Sequence, residues 1–528
     1  MTPPRGPWPL SWMEFLAALG VDPRAAMGPA PATVDGAAYD SRRVRPGDAF
    51  FALQGQVEDG ARFATEAGAR GAVCVVSEAP TGVREGLPET APPAEVIVGE
   101  ARKALAQAAV ALYRDPSSRL TLIGLTGTNG KTTGAFLCRA ILEAAGVRAG
   151  MVGTAGYYLG DERLDAPHTT PEAPDLCDLL DRMSARGLMA AVLEVSSHAL
   201  ELRRTYGLSF RSVVFTNLTR DHLDFHGNEE AYLKAKLRLF NGENGGDTRL
   251  ATAIVNASDP HARDVLEACA EGGMRVLRFA LEGAPGADAA EIVATDVRLE
   301  PRACRFTIVE PGGVTPITLP LPGRHNVENA LAAWGATRAV GVERDIAARA
   351  LASFSGVPGR LEAIDRGQAF TVLVDYAHTP DALTRVLAAV RETLLPGGRL
   401  AVVFGCGGDR DRGKRAAMGE AAARGADLAV VTDDNPRNEN PAVIRGEAMR
   451  GAEAAFAAGQ PPAGAARPIE IAGRRRAIEH ALAWAAPGDV VMLAGKGHEG
   501  TQIVGVSSVP FDDRLEAERA LAALGFAS

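Results

Sequence analysis

The 528-residue chain is 46% apolar and 23% charged, with a net charge of −9; it is globular, and at ~150 residues per domain it is too long for one core and divides into three or four. The acidic balance disfavours nucleic acid as a partner but leaves room for local arginine clusters that hold anions. Six cysteines scattered without C-x-x-C spacing are expected to be buried free thiols in a reducing cytoplasm. The proline-bearing N-terminus lacks the apolar run of a signal peptide, and no stretch approaches roughly 18 uninterrupted apolar residues, so a cytoplasmic protein without membrane insertion is expected.

Residues 1–116 alternate short strands and helices. Ala49–Leu53, Ala72–Ser77 and Glu95–Val98 are predicted strands, Ala101–Tyr113 an Ala-rich helix, and Pro80–Pro93 a loop. Within them Tyr39–Gly55, Y-D-S-R-R-V-R-P-G-D-A-F-F-A-L-Q-G, joins a turn to an apolar strand, and is either a plain hairpin or a ligand element. Asp115–Ser118 reads as a linker.

The stretch Leu120–Thr133, L-T-L-I-G-L-T-G-T-N-G-K-T-T, organises the central part of the chain. An apolar strand breaks into a glycine loop and an apolar helical pattern resumes after Lys131: strand, phosphate loop, helix. Thr126, Gly127, Thr128, Asn129 and Gly130 supply backbone N–H groups to an anion, the helix N-terminus adds partial positive charge, Lys131 reaches the outer phosphates, and Thr132 and Thr133 offer hydroxyls, Thr132 to Mg²⁺. The general spacing wants its first glycine at Leu125, whereas the nearest is Gly124, so the motif is a shifted form.

Apolar strands at Ala190–Leu193, Ser212–Thr216 and Ala251–Val255 continue a parallel sheet. Three polar constellations fall at or beyond its strand ends, where open α/β sheets place their sites. Thr169 and Thr170 in H-T-T-P-E-A-P are either a helix cap or ligand hydroxyls. Glu194 ends an apolar strand in L-E-V-S-S-H-A-L, an expensive place for a carboxylate unless it binds something; Mg²⁺ is the candidate. Asp221, His222, Asp224 and His226, followed by Lys234 and Lys236, are a turn network or a metal site. Asn241–Pro316 is less patterned, apart from the strand at Ala251 and a loop at Gly283–Gly286, and Leu321–Ala333 enters a helix with Asn326 and Asn329 on one face.

A boundary is placed at Ser355–Glu362, with Pro358–Gly359 as hinge and Arg360 beyond it. Strands at Thr371–Val374, Leu400–Phe404, Leu428–Val431 and Val490–Leu493 form another doubly wound pattern, and each ends in a polar loop: Asp375–Asp381, Gly405–Arg415, Asp433–Pro441 and Gly495–Glu499. Four such loops at one sheet edge make a site. The Arg474–Arg476 run is expected to be a solvated helix start.

Taken together, D-S-R at Asp40–Arg42, T-G-T-N-G-K-T-T, E-V-S-S-H, the His222 and Lys236 pair, G-R-H-N-V-E-N, G-R-L-E, D-Y-A-H-T-P and D-N-P-R resemble the Mur ligases over essentially the whole chain. The resemblance implies an α/β protein of three domains: residues 1–116 for the UDP-linked substrate, 117–356 a central P-loop ATPase-like parallel sheet, and 357–528 a C-terminal doubly wound, Rossmann-like domain for the amino acid. It implies an ATP-dependent ligase of peptidoglycan precursor synthesis that activates UDP-N-acetylmuramoyl-L-alanyl-D-glutamate as an acyl phosphate. On this reading Lys131, Glu194, His222 and Lys236 are catalytic. Mg²⁺ is held by Thr132, Glu194, His222 and Lys236 as its carbamate, with Lys234 the distractor.

The same resemblance puts Asn326 and Arg360 with the phosphate loop at ATP, and Ser41, Thr169, Thr170, Ser196 and Arg204 at the UDP-linked substrate. D-N-P-R points to the form that adds meso-2,6-diaminopimelate, whose distal carboxylate suits bidentate arginine. Arg410 and Arg437 are then carboxylate clamps, Asp434, Asn435 and Pro436 line the pocket, and Gly495 and Glu499 meet the far ammonium. A monomer acting only on small molecules, closing about Pro358–Gly359, is expected. L-lysine as the amino acid, a folylpolyglutamate synthase sharing the ATP loop, and a non-catalytic nucleotide-binding regulator are the alternatives.

Overall fold

The computed structural model describes residues 5–55, 58–83, 92–219 and 221–526. Gln56 and Val57, and the part of the expected Pro80–Pro93 loop from 84 to 91, lie outside the described residues. The chain forms two compact units: residues 1–293 with 331–347, and residues 294–330 with 348–528.

The first unit holds two sheets. In the smaller one β1 (Arg5–Ser11) pairs antiparallel with β2 (Thr33–Ala38), and β3 (Asp48–Phe51), β4 (Cys74–Ser77) and β5 (Ala94–Ile97) follow in parallel. A Ser11/Glu14 capping box starts the helix Trp12–Leu19, which with Ala101–Leu112 seals one face of this sheet. The strand and helix at the very start carry too short an apolar pattern to stand out in the sequence.

The larger sheet runs β13 (Arg275–Leu281), β12 (Thr252–Asn256), β11 (Ser212–Phe215), β6 (Thr121–Thr126), β10 (Ala190–Glu194), β7 (Ala149–Gly153), β8 (Gly156–Leu159) and β9 (Glu162–Leu164) in this unit. From β13 to β7 it is parallel, and β6, β10, β11 and β12 are almost wholly buried on both faces, which is why they read as unbroken apolar runs. The less patterned span after Asn241 in fact contains the helix Ala262–Glu271 and β13: β13 is only half buried at its start, so the period is weak where solvent reaches it.

In the second unit β15 (Cys304–Glu310) and β16 (Gly313–Leu319) form an antiparallel pair beside β14 (Ile292–Leu299), a strand whose first two residues belong to the first unit. Its main sheet runs β17 (Glu362–Ile364), β18 (Thr371–Asp375), β22 (Val490–Ala494), β19 (Leu400–Cys406), β20 (Leu428–Asp433) and β21 (Ile469–Glu470), parallel except for β17. The hairpin β23 (Thr501–Val504) and β24 (Ser507–Pro510) stands apart from it.

The Arg474–Arg476 run corrects a sequence expectation. Arg475 and Arg476 are exposed, but Arg474 is fully buried: its Nε and Nη2 donate to Asp513 Oδ1 and Oδ2 at 2.7 and 2.6 Å and Nη2 also reaches Ala494 O at 2.9 Å. A guanidinium enters a core only with such a partner, and Asp513 lies too far along the chain for local charge patterning to reveal it. All six cysteines are buried free thiols. No described helix is long and apolar enough to cross a membrane.

Candidate active site

In the first unit the phosphate loop leaves the central strand β6, between β10 and β11. Gly127 adopts φ +145°, and a Cβ there would lie 1.9 Å from Thr216 Oγ1; Gly130, at φ +87°, caps the helix Lys131–Ala144. Only glycine serves at either place. Gly124, by contrast, sits inside β6 against the Phe210 ring, so its role is packing, and the motif is shifted because its first glycine belongs to the strand.

Neighbouring strand ends fix the loop. Thr126 O accepts from Thr216 N at 3.0 Å, Thr128 N donates to Asn217 O at 2.8 Å, Asn129 N donates to Asn217 Oδ1 at 2.9 Å, and the Thr128 and Tyr232 hydroxyls lie 3.1 Å apart. Thr133 is half-buried on the first helical turn. Lys131 Nζ donates to Gly127 O and Thr128 O at 2.7 and 2.9 Å, and the buried Lys236 Nζ donates to the same Gly127 carbonyl at 2.9 Å. Burial and then Lys131 push the Lys236 amine well below the usual lysine range. Lys234 is exposed.

Glu194 is buried at the end of β10. Its Oε2 accepts from Thr132 Oγ1 at 2.9 Å and Thr154 Oγ1 at 3.3 Å, and its Oε1 from Thr154 N at 2.9 Å. Gly153 makes the space, since a Cβ there would be 2.1 Å from Glu194 Oε1. His222, at φ +51°, packs its ring against His198 and Tyr232, with Nε2 3.5 Å from Asp221 Oδ2. Lys236 lies 4.5 Å from the centre of that same Tyr232 ring, so His222 and Lys236 flank one aromatic side chain. Burial lowers the affinity of His222 for a proton, and Lys131 and Lys236 lower it further against Asp221.

A second group adjoins Glu194. Thr170 Oγ1 donates to Glu194 O at 2.7 Å and accepts from Ser196 N at 3.2 Å; Arg204 Nη1 donates to Thr170 O at 2.8 Å and pairs through Nη2 with Glu172 at 2.8 Å; the Thr169 and Thr154 hydroxyls are 3.0 Å apart. Thr169 and Thr170 are therefore not a helix cap; the helix Ala173–Ala185 starts at Glu172 without a side-chain cap bond. Ser196 does cap the helix Ser197–Glu201 through Ala199 N. Ser41 belongs to the smaller sheet's surroundings, where its hydroxyl donates to Glu66 Oε2 at 3.0 Å, and the exposed Arg42 pairs with Asp40.

In the second unit the four polar loops converge: Gly495 N donates to Asp375 O at 3.0 Å, the Tyr376 and His498 rings stack at 5.3 Å, and Lys414 Nζ donates to His378 O at 2.9 Å. Asn435 Nδ2 donates to Glu499 Oε2 at 3.0 Å, while Lys496 Nζ donates to Asn435 Oδ1 at 3.3 Å and Glu499 Oε2 at 3.2 Å. Asp434 Oδ1 is buried, finds no hydrogen-bond partner among the described residues, and lies 3.7 Å from Lys496 Nζ. Arg437 Nη1 donates to Gly408 O at 2.8 Å, and a Cβ on Gly407 would stand 3.0 Å from Arg437 Nη1 and 3.7 Å from Arg410 Cγ, so both arginines border one glycine. Pro436 O would meet a Cβ on Gly408 at 1.9 Å, and Gly495, at φ +115°, ends β22.

Nearby, Arg360 lies over the Tyr376 ring at 5.2 Å and next to Asp375, whose carboxyl burial raises against the pull of Arg360. Asn326 Nδ2 donates to Pro322 O at 2.7 Å and its Oδ1 accepts from Asn329 Nδ2 at 3.0 Å. Asn326 and Arg360 belong to the second unit and the phosphate loop to the first.

Residues 33–113, 125–337 and 359–497 match three family models in turn: the Mur ligase family catalytic domain, the Mur ligase middle domain, and the Mur ligase glutamate ligase domain. A Geobacter metallireducens protein, UDP-N-acetylmuramoyl-L-alanyl-D-glutamate--2,6-diaminopimelate ligase, is 42% identical over 520 residues, 96% of this chain and 98% of its own. The chain belongs to the Mur ligase family. A Roseiflexus relative named UDP-N-acetylmuramyl-tripeptide synthetase is likewise 42% identical, over 95% of this chain and 97% of its own. A solved UDP-N-acetylmuramoyl-L-alanyl-D-glutamate--2,6-diaminopimelate ligase superposes with a TM-score of 0.71 at 32% identity, over 98% of this chain and all of that one. A Mycobacterium tuberculosis folylpolyglutamate synthase, at 18% identity and a TM-score of 0.57, shares the fold alone.

Sequence reasoning missed two charged residues of this Mur ligase. Lys496 lay inside the G-K-G-H-E loop but was passed over in favour of its neighbours, although a lysine at the end of an apolar strand carries the same signal that drew attention to Glu194. Arg474, buried behind the loops with Asp434 and Glu499 within electrostatic reach, left no such signal.

Proposed function

We propose that this Mur ligase joins meso-diaminopimelate to UDP-N-acetylmuramoyl-L-alanyl-D-glutamate, at the expense of ATP, in the cytoplasm. The observation that carries the reading is the second-unit pocket. It sets Asp434 and Glu499 against the single buried Lys496, leaving one carboxylate in excess, and brings Arg410 and Arg437 together at Gly407. A ligand with a carboxylate and an ammonium at one centre answers both charges. Lysine offers no distal carboxylate for the arginines. The names of relatives such as the Geobacter metallireducens ligase support the same choice.

On this reading residues 1–116 hold the uridine end, with Ser41, and 117–356 carry the reaction, with 357–528 for the amino acid. Lys131 and the loop N–H groups bind the ATP phosphates, and Asn326 and Arg360 are the further ATP-binding residues. Thr169, Thr170, Ser196 and Arg204 align the dipeptide beside Glu194. A γ-carboxylate oxygen of the substrate attacks the γ-phosphorus and the bond to the β-phosphate oxygen breaks, giving ADP and an acyl phosphate. An uncharged amine of diaminopimelate then attacks the acyl carbon; phosphate leaves, and the amine proton is lost as the amide forms. Two anions must meet in the first step, so most of the catalysis is shielding and alignment.

Thr132 and Glu194 are hard oxygen donors within 2.9 Å of each other and fit Mg²⁺, whose shell the phosphates would complete. His222 and Lys236 fit a second Mg²⁺ once the lysine is carbamylated, and the lowered proton affinity of Lys236 favours the neutral amine that carbamylation by CO₂ requires. Bound Mg²⁺ would supply charge neutralisation between the two anionic substrates.

The test is phosphate release by the purified chain with ATP and the UDP-linked substrate, comparing meso-diaminopimelate with L-lysine at equal concentration. Release with diaminopimelate alone is expected. Release with lysine instead would overturn the specificity, and release with neither would favour a regulator that binds ATP without turnover.

A further inference from the structure

The hairpin β23–β24 is exposed at all four positions of its second strand, and Val506 at its turn is fully exposed. An isolated two-stranded ribbon is marginal in water, so something must hold this one. It is bound to the Asp434–Arg437 loop. Ile503 N donates to Asn435 Oδ1 at 3.0 Å, Arg437 N donates to Ile503 O at 3.1 Å, Gly505 N donates to Arg437 O at 2.8 Å, and the Gln502 side-chain amide donates to Asp434 O. Ile503 thus directs both its N–H and its C=O at the loop and neither at β24.

The grip falls where the backbone needs it. Arg437 stands at φ +49°, a conformation that a non-glycine residue keeps only when its surroundings impose it. Both backbone bonds of Arg437 come from the hairpin, while its side chain is steered to Gly408 O. The match to the glutamate ligase domain ends at residue 497, before β23 begins. The element that shapes the loop therefore follows the residues matched to that domain, and the loop it shapes is the one proposed to choose the amino acid.

We propose that the hairpin Thr501–Pro510 is a specificity element: it fixes the backbone of Asn435 and Arg437 so that the guanidinium presents its fork to the distal carboxylate of the amino acid. The inference rests on the diaminopimelate reading. A guanidinium separates a carboxylate-bearing ligand from one without it only when its planar donors are held in register. A loosened loop keeps the charge and loses the discrimination.

The test uses the full chain carrying Gln502→Ala with Ile503→Pro, which removes two donors to the loop and no rung of the hairpin. The KM for meso-diaminopimelate should rise about tenfold or more and the preference over L-lysine in kcat/KM should fall about tenfold, with the KM values for ATP and the UDP-linked substrate within about twofold. Gln502→Ala alone, which removes one side-chain amide and leaves the backbone intact, should give the same pattern at about threefold and carries the test if the double variant does not fold. An unchanged preference overturns the proposal, as does a parallel rise in all three KM values with a lowered melting temperature, which would make the hairpin a general strap. A wild-type chain that uses lysine and not diaminopimelate overturns the reading beneath it, and the wild-type control separates the two failures.

Discussion

Gly153 and Lys236 show how single residues carry the first-unit site. Gly153 leaves the volume that the Glu194 carboxylate occupies. Gly153→Ala is expected to displace Glu194 and lower phosphate release by about 100-fold, the scale of losing one aimed electrostatic group, while circular dichroism stays that of the wild type. Lys236 is buried beside Lys131 on one carbonyl, so its amine loses its proton readily. Lys236→Arg keeps a permanent charge there and cannot be carbamylated; turnover should fall about 100-fold or more, and retention of more than a tenth of the activity would remove Lys236 from the catalytic set.

Other single residues work by being full. Asn435 was expected to contact the amino acid, yet its Oδ1 accepts two bonds and its Nδ2 donates to Glu499, so its first task is to orient that carboxylate. Its identity was legible in the D-N-P-R motif; its bonds were not, because the partners lie more than sixty positions away in the chain.

At the scale of elements, two loops of the second-unit site are braced by charge pairs. Arg474 and Asp513 form a fully buried pair under Ala494, at the start of the Gly495–Glu499 loop. Arg474→Met leaves Asp513 without its partner and should cost about 3–5 kcal/mol, measured as a shift in denaturant midpoint, whereas Arg474→Met with Asp513→Leu should recover a large part of it.

Glu439 braces the next loop. The Arg415 guanidinium, then the Asp409 amide, hold its carboxyl down to about 2 from an ordinary 4.5. The ionised form is what the folded state favours, so this contribution is complete above pH 4.5 and is lost as pH falls from there towards about 2. The stability difference between wild type and Glu439→Gln should therefore be full near neutral pH, shrink below 4.5 and vanish near 2. A difference that does not change with pH would mean that the carboxylate charge plays no part.

For the whole molecule, the phosphate loop belongs to one compact unit and the pocket proposed for the amino acid to the other. Turnover that needs both substrates predicts a change on binding, and the backbone indicates where it would act. Gly359, expected as part of the hinge, is packed on the backbone of Gly497 and His498, where a Cβ would come within 2.1 Å; Gly356, at φ +98°, has open space. The hinge is therefore proposed at Gly356, within the second unit, rather than at Gly359. The radius of gyration in small-angle scattering should fall when an ATP analogue, the UDP-linked substrate and diaminopimelate are all present, and identical curves with and without them would rule closure out.

The sequence by itself determined the α/β class, the parallel strands, the phosphate loop and the loops at the strand ends. Strands buried on both faces, such as Leu400–Cys406, must be continuously apolar, and a backbone that wraps phosphate must place glycine at Gly127 and Gly130; both constraints are local and so are written locally. Only the tertiary structure decided which charges are neutralised and by what. Arg474 meets Asp513, Lys496 meets Asp434, and Arg437 takes its strained turn from a hairpin more than sixty residues later. A buried charge is tolerated only beside its partner, and nothing local in a chain states which distant residue folding will bring there.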